Sequence, residues 1–252
     1  MSAQIKARGP LGSPDDNAAG LVEDDLDPLR YGGQVLDPDE VSGIVTSMIP
    51  RGARVLDVGC GTGSISQIVR DTCRANVVGV EPDPARAQRA ADRGLKVHVG
   101  FLSRELIHET GPFDVVLFAD VLEHLPNPHA MLLMSREALR AGGAVIVSVP
   151  NVAHWSVRAN LLRGKFQYQP SGIMDATHLR WFTAASVRSL LASSGFNVIE
   201  YRATAGRGLP DNDGRAPLRW LPTNYRIRFL RMASKRWPML FGSQHVLKAA
   251  ML

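Results

Sequence analysis

The chain has 252 residues, 45% hydrophobic and 21% charged, which suits one globular α/β domain with appendages. No apolar run approaches the roughly 20 residues of a bilayer-spanning helix, and no apolar stretch follows Lys6 and Arg8, so neither a membrane span nor a signal peptide is expected. The two cysteines, Cys60 and Cys73, exclude a disulfide framework and have no metal-ligand spacing, and the net charge of +5 is modest; a cytoplasmic protein is expected.

Residues 1–28 are rich in Gly, Pro, Asp and Ala without periodicity and read as a disordered tail, leaving 29–252 as one domain. Asp37-Pro38-Asp39-Glu40 then opens a short helix, with Asp37 as N-cap and Pro38 at the first helical position. From there short apolar strands alternate with helices. The strands fall at Ala53–Val58, Asn76–Val80, Lys96–Val99, Asp114–Ala119, Ala144–Val149, Phe196–Ala203 and Gln244–Ala250. Helices fall between them, including Ala85–Arg93, one near His129–Arg140, and one capped by Thr183. This spacing predicts an α/β fold: a Rossmann-like, seven-stranded, mostly parallel sheet with helices on both faces. Between the last two strands, near 205–243, lies a basic insertion. Pro217 to Phe241 carries Arg219, Arg226, Arg228, Arg231, Lys235 and Arg236 and no acid. Arg228, Arg231 and Lys235 share one helical stripe while Tyr225, Phe229 and Met232 share another. Peripheral contact with an anionic membrane through 217–241, a cover over a substrate pocket and a plain solvated helix are all open readings.

The sharpest motif is Val55-Leu56-Asp57-Val58-Gly59-Cys60-Gly61-Thr62-Gly63-Ser64. A strand that enters a glycine-rich turn and then a helix lets a ligand approach bare backbone amides at the helix N-terminus. Side chains at Gly59, Gly61 and Gly63 would fill the space such a ligand needs. Glu81 ends the second strand 18 positions after Gly63, near the spacing at which an acid accepts from ribose hydroxyls. A dinucleotide fingerprint wants glycine where Ser64 stands, which disfavours a nicotinamide oxidoreductase.

Val55–Ser64 and Val77–Glu81 resemble the first and second motifs of the class I S-adenosylmethionine-dependent methyltransferases. Phe113 to Leu125 continues the resemblance, which covers about Tyr31 to Ala250. It implies that Asp57 and the Gly59–Gly63 backbone hold the methionine part of S-adenosylmethionine, that Glu81 holds the ribose, and that Asp120 lines the methionine end. Asp114, at the other end of its strand, is expected to be structural, and Glu123 to cap or pair locally. Many members place an acid after the third strand to bond the adenine amino group. Here Phe101-Leu102-Ser103 stands there, so Phe101 or Leu102 would pack on the adenine and Ser103 would replace the acceptor.

Acceptor groups belong on loops at the carboxyl ends of the strands. Val149–Trp155 and Gly172–Thr183 resemble the subgroup that includes methionine-biosynthesis-type proteins, ubiquinone-type O-methyltransferases and sugar O-methyltransferases. A hydroxyl acceptor must lose a proton, and His154, His178 and His124 are the candidate bases. Asp175 orients His178 or ligates a divalent cation; Mg²⁺ is compatible with these residues but not demanded by their spacing. Trp155 and Trp181 are candidates for a stacking wall. The expectation is O-methylation of a sugar, glycan precursor or small hydroxylated metabolite, with no nucleic acid partner. The alternatives are a non-catalytic docking partner in methionine biosynthesis and a small-molecule N-methyltransferase.

Overall fold

The computed structural model describes residues 32–206 and 222–252. The expected disordered tail, 1–28, lies outside the described residues, as does the first part of the basic insertion. Seven strands form one sheet: β1 (Arg54–Val58), β2 (Asn76–Glu81), β3 (Lys96–Val99), β4 (Phe113–Ala119), β5 (Leu139–Pro150), β6 (Phe196–Ala203) and β7 (Gln244–Met251). Their order is β3-β2-β1-β4-β5-β7-β6. All pairs among β1 to β5 are parallel, and β7 runs antiparallel to both β5 and β6. The expected Rossmann-like, mostly parallel sheet is therefore present. The order reverses between β1 and β4, which opens a crevice at their carboxyl ends.

Helices cover both faces because the central strands are apolar on both. One cluster joins Val55, Val115, Leu117 and Ile146 to α1 (Val41–Met48), α2 (Ser64–Cys73) and α3 (Pro84–Asp92). The other joins Leu56, Val116, Phe118, Val145 and Val147 to α4 (Arg104–Thr110), α5 (Pro128–Ala138) and α7 (Ala184–Ser193). Phe113, Phe118 and Phe196 are fully buried in that second cluster. Replacing a core phenylalanine of this kind by alanine costs about 3–5 kcal/mol.

Local chemistry sets the helix starts. Asp83 accepts from the Arg86 amide with Pro84 behind it, and Asn127 accepts from Ala130 ahead of Pro128. Thr183 and Ser186 cap reciprocally, as Thr183 was expected to. Asp37 differs from expectation. Its Oδ1 accepts from Asp39 N and its carbonyl accepts from Glu40 N and Gly43 N, so it closes a turn before the helix, which starts at Val41. β5 starts at Leu139, five residues earlier than its apolar run, because Leu139 pairs with Phe113 across an irregularity in the ladder.

The insertion is described from residue 222. It forms α8 (Thr223–Arg236) and α9 (Pro238–Phe241); α6 (Trp155–Leu162) lies on the β5 exit loop. On α8 the buried positions are Leu230, Ala233 and Ser234, so the two expected stripes divide. Arg231 and Lys235 reach the Asp39 carboxylate at 2.6 and 3.7 Å, while Arg228 is exposed. Phe229 meets Phe241 edge to face, and Tyr225 and Met232 face solvent. No helix among the described residues is long and apolar enough to cross a membrane.

Candidate active site at the carboxyl edge of the sheet

At the end of β1 the chain takes three positive φ values, at Gly59, Gly61 and Gly63. A side chain at Gly59 would strike Val121, and one at Gly63 would strike Leu95 and Ala90. Only at Gly61 would it enter open space, so of the three expected ligand-facing glycines two serve packing and one leaves room. The turn is fastened from the next strand: Glu81, buried, accepts from Gly61 N at 2.8 Å and from Asp83 N at 3.1 Å. Asp57 is 1% exposed. Its Oδ2 accepts from Ser66 Oγ at 2.5 Å, while its Oδ1 is buried without a hydrogen-bond partner. Burial pushes its carboxyl up to about 7; the Ser66 bond opposes that shift and the neighbouring Glu81 adds to it.

The groups near the third strand sort differently from expectation. Ser103 caps α4, accepting from Leu106 N, so its hydroxyl is committed to a helix end. Leu102 is buried in the core, and Phe101 is exposed. Of the three, Phe101 alone is neither buried in the core nor engaged as a cap. Cys60 and Cys73 are both free thiols, and burial raises the Cys60 thiol far above its usual range.

On the other side of the crevice, β4 is followed by Asp120, a non-glycine residue held at φ 57°. Its Oδ1 accepts from Ser148 Oγ at 2.7 Å and from Gln244 Nε2 at 2.8 Å, bonds that hold this backbone conformation and oppose the upward shift that burial gives its carboxyl. The sequence did not point to Gln244, which reaches the site only because β7 runs antiparallel. Asp114 is structural as expected, accepting from Arg54 N and pairing with Arg140.

After Asp120 comes a 3₁₀ turn, Leu122–His124, rather than a longer helix. Here one expectation fails. Glu123 neither caps nor pairs through its side chain: it is 1% exposed and both carboxylate oxygens are buried without hydrogen-bond partners. Burial, with Asp120 and Asp175 nearby, holds its carboxyl well above the usual range. Its ligand atom lies within 4.8 Å of those of His124 and His178, and those two are equally close to each other.

Both histidines are set by backbone carbonyls. His124 Nδ1 donates to Thr177 O at 3.1 Å, and His178 Nδ1 donates to Ile173 O at 3.2 Å. A carbonyl only accepts, so each Nδ1 carries a hydrogen, and in the neutral imidazole Nε2 is then the acceptor. The loop bearing His178 is clamped to the turn: Leu179 N and Arg180 N both donate to Glu123 O, and the Arg180 side chain reaches the Leu125 and Pro126 carbonyls. Asp175 is fully buried, and its Oδ1 accepts from Thr177 N and Thr177 Oγ1. It thus shapes this loop from within.

His154 is placed otherwise. It is completely buried, and as N-cap of α6 its Nδ1 accepts from Ser156 N at 3.4 Å and lies 2.9 Å from Ser156 Oγ. The side chain is thus sealed from solvent at a helix end, which speaks against the expected role as a base. Trp155 tilts over His154, while Trp181 packs edge-on against Phe166, with Tyr168 beside both. Phe166 and Tyr168 carried no sequence signal, since they lie on a loop without periodicity.

The sequence and the fold match known proteins. Residues 38–201 match a family described as "Methyltransferase domain". The chain is 31% identical to the ubiquinone biosynthesis O-methyltransferase of Xanthomonas axonopodis over 46% of its own length and about half, 51%, of the relative's. It is 27% identical to the same-named protein of Cupriavidus pinatubonensis, over 83% of this chain and 81% of that one. A solved S-adenosylmethionine-dependent methyltransferase from Thermotoga maritima superposes with a TM-score of 0.54, at 17% identity over 84% of this chain and 87% of that one.

Proposed function

The chain belongs to the methyltransferase-domain family, and from that premise we propose that it transfers the methyl group of S-adenosylmethionine to a hydroxyl of a small molecule, with a divalent cation held by Glu123, His124 and His178. The observation that carries this reading is the buried Glu123 carboxylate, unpartnered at both oxygens, with ligand atoms of His124 and His178 within 4.8 Å of it.

The cofactor side fits its ligand. Asp57 Oδ1 is an orphaned buried acceptor suited to an ammonium group, Gly61 opens on empty space, and Glu81 sits at the strand end where ribose hydroxyls are bound in folds of this kind. When bound, S-adenosylmethionine supplies a methyl group on a positively charged sulfur. The protein's share is then alignment and exclusion of water, since the transfer is an in-line displacement.

The acceptor side fits a cation. A carboxylate left without donors in the interior costs several kcal/mol unless protonated or neutralised by a positive charge. Backbone carbonyls that accept from Nδ1, as those of Thr177 and Ile173 do here, are usual outer partners of metal-binding histidines. A divalent ion here would act as a Lewis acid, lowering the pKa of an acceptor hydroxyl. One carboxylate and two imidazoles leave coordination positions open, which favours an acceptor with two adjacent oxygens, such as a catechol or a sugar diol. The relatives' name speaks for O-methylation; we carry over the oxygen acceptor and not the quinone. Sugars, glycan precursors and small hydroxylated metabolites all remain within this class.

The test is turnover of labelled cofactor on catechols and sugar diols, with chelator and then Mg²⁺, Mn²⁺ or Zn²⁺ added back. Calorimetry of those ions with the protein gives a second readout. Loss with chelator, rescue by one ion, and loss of ion binding in Glu123→Gln are the expected results. Full turnover in chelator with the native protein sinks the metal reading. No turnover on any hydroxylated acceptor, with ion binding intact, would favour a docking protein.

A further inference from the structure

The insertion between β6 and β7 presents a surface that the reaction does not use. Residues 222–243 contain five cations (Arg226, Arg228, Arg231, Lys235 and Arg236) and no acid. Two of the five, Arg231 and Lys235, lean on Asp39 and dock α8 to the domain. Leu230, Ala233 and Ser234 form the buried side. Opposite them, at helical spacing, lie Tyr225, Arg228, Met232 and Arg236, all exposed, and the chain continues into exposed Trp237 and Met239. Tyr225 is 68% exposed, Met232 57%, Met239 60% and Trp237 48%. The Arg236 guanidinium lies over the Trp237 ring, 5.4 Å from its centroid.

Scattered exposed apolar residues need no explanation, but four large ones interleaved with cations on one short helical hairpin do. Tyr, Trp and Met beside Arg suit a boundary that is apolar on one side and negatively charged on the other. A nucleic acid would engage the cations and leave Met232 and Met239 without a role. An acidic protein would need no tyrosine and tryptophan at the level of the charges. A lipid surface uses both sets at once.

We propose that the exposed face of α8 and α9, made by Tyr225, Arg228, Met232, Arg236, Trp237 and Met239, docks on an anionic lipid bilayer surface. The apolar side chains enter the headgroup boundary and the guanidinium groups meet lipid phosphates. The docking face is tied to the acceptor side of the crevice. Asn151, at the exit of β5, donates through Nδ2 to Met239 O at 3.1 Å and to Gly242 O at 2.8 Å, and it bridges to Phe182 beside the His178 loop. A bilayer held by α8 and α9 therefore lies near the loops that receive the acceptor, and amphiphilic acceptors gain from that arrangement.

The experiment is co-sedimentation of the full chain with vesicles of phosphatidylcholine alone or of an equimolar mixture with phosphatidylglycerol, at low and high salt. Binding only to the anionic vesicles, released by salt, is expected. Each cation removed lowers partition about fivefold, so Arg228→Ala with Arg236→Ala lowers it by roughly 25-fold. Tyr225→Ala with Met232→Ala lowers it as well, and both pairs keep S-adenosylhomocysteine binding because the positions are exposed. Equal partition onto neutral and anionic vesicles overturns the proposal. So does native partition in the arginine pair, or binding to transfer RNA that survives loss of Tyr225 and Met232 while vesicle binding is absent.

Discussion

The two sides of the crevice, which we assign to the cofactor and to the acceptor, are built by opposite means. The cofactor side is contiguous: Asp57, the glycine turn and Ser66 span ten residues, and Glu81 closes it from the adjacent strand through Gly61 N and Asp83 N. Its contacts are largely backbone amides, whose positions follow from a strand-turn-helix. The acceptor side is assembled from distant segments. Glu123 and His124 come from the turn after β4, His178 from a loop more than fifty residues later, and Gln244 from β7. Its chemistry lies in side chains whose meaning depends on what else arrives. A binding site for a ligand common to a family can be local; a reactive site is a convergence.

The sharpest way to break this contrast is to remove the convergence. Glu123→Gln keeps the shape and removes the charge. We expect turnover to fall by about 10²–10⁴-fold while S-adenosylhomocysteine affinity stays within a few-fold. His178→Ala should give a similar loss, measured as single-turnover rate with saturating cofactor. Unchanged turnover in both variants would return the acceptor side to a structural role.

The next effect belongs to the cofactor side. If Glu81 takes the ribose hydroxyls, Glu81→Ala removes charged hydrogen bonds of about 1.5–3 kcal/mol each, roughly 10- to 150-fold in affinity for one of them. Titration calorimetry with S-adenosylhomocysteine reads it directly. The same variant also frees the Gly61 amide, so thermal melting of the unliganded protein shows how much of the loss is a loosened turn.

A smaller effect follows from Asp57, whose carboxyl is pushed up to about 7 in the folded, unliganded protein. The folded state holds a proton that the unfolded state has already lost. That contribution to stability is complete below the ordinary carboxylate range and falls as pH rises toward 7. Ligand binding has the opposite sign, because an ammonium group prefers the carboxylate. Affinity for S-adenosylhomocysteine should rise about tenfold from pH 6 to pH 8, with a proton released on binding near pH 7. In Asp57→Asn both slopes should vanish. A slope that survives there belongs to another group.

The smallest expected effect sharpens the contrast most. His154→Asn supplies another good N-cap side chain for α6. If His154 caps a helix, turnover stays within a few-fold and stability shifts by about 0.5–2 kcal/mol, read by urea unfolding. A fall of 10²-fold or more in turnover would put the base back at His154.

The alternation of apolar strands and helices, with Thr183 as a cap, was readable in the chain, because those preferences act over a few residues. So was the glycine turn with Asp57 and Glu81. What escaped has a physical reason in each case. Ser103 looked like a spare hydroxyl until the start of α4 claimed it. His154 was expected as a base on the loop leaving β5, yet it caps α6 against Ser156 and is sealed by the fold. Glu123 was expected to cap or pair locally. Leu179 N and Arg180 N clamp on its carbonyl and help close the His178 loop over the turn, and its carboxylate is buried there without a donor. Sequence alone determined the sheet, its helices and the cofactor turn, since periodicity, capping and glycine stereochemistry are local. Which acid lost its water, and which histidines stand beside it, was decided by tertiary structure, because desolvation depends on segments far apart in the chain.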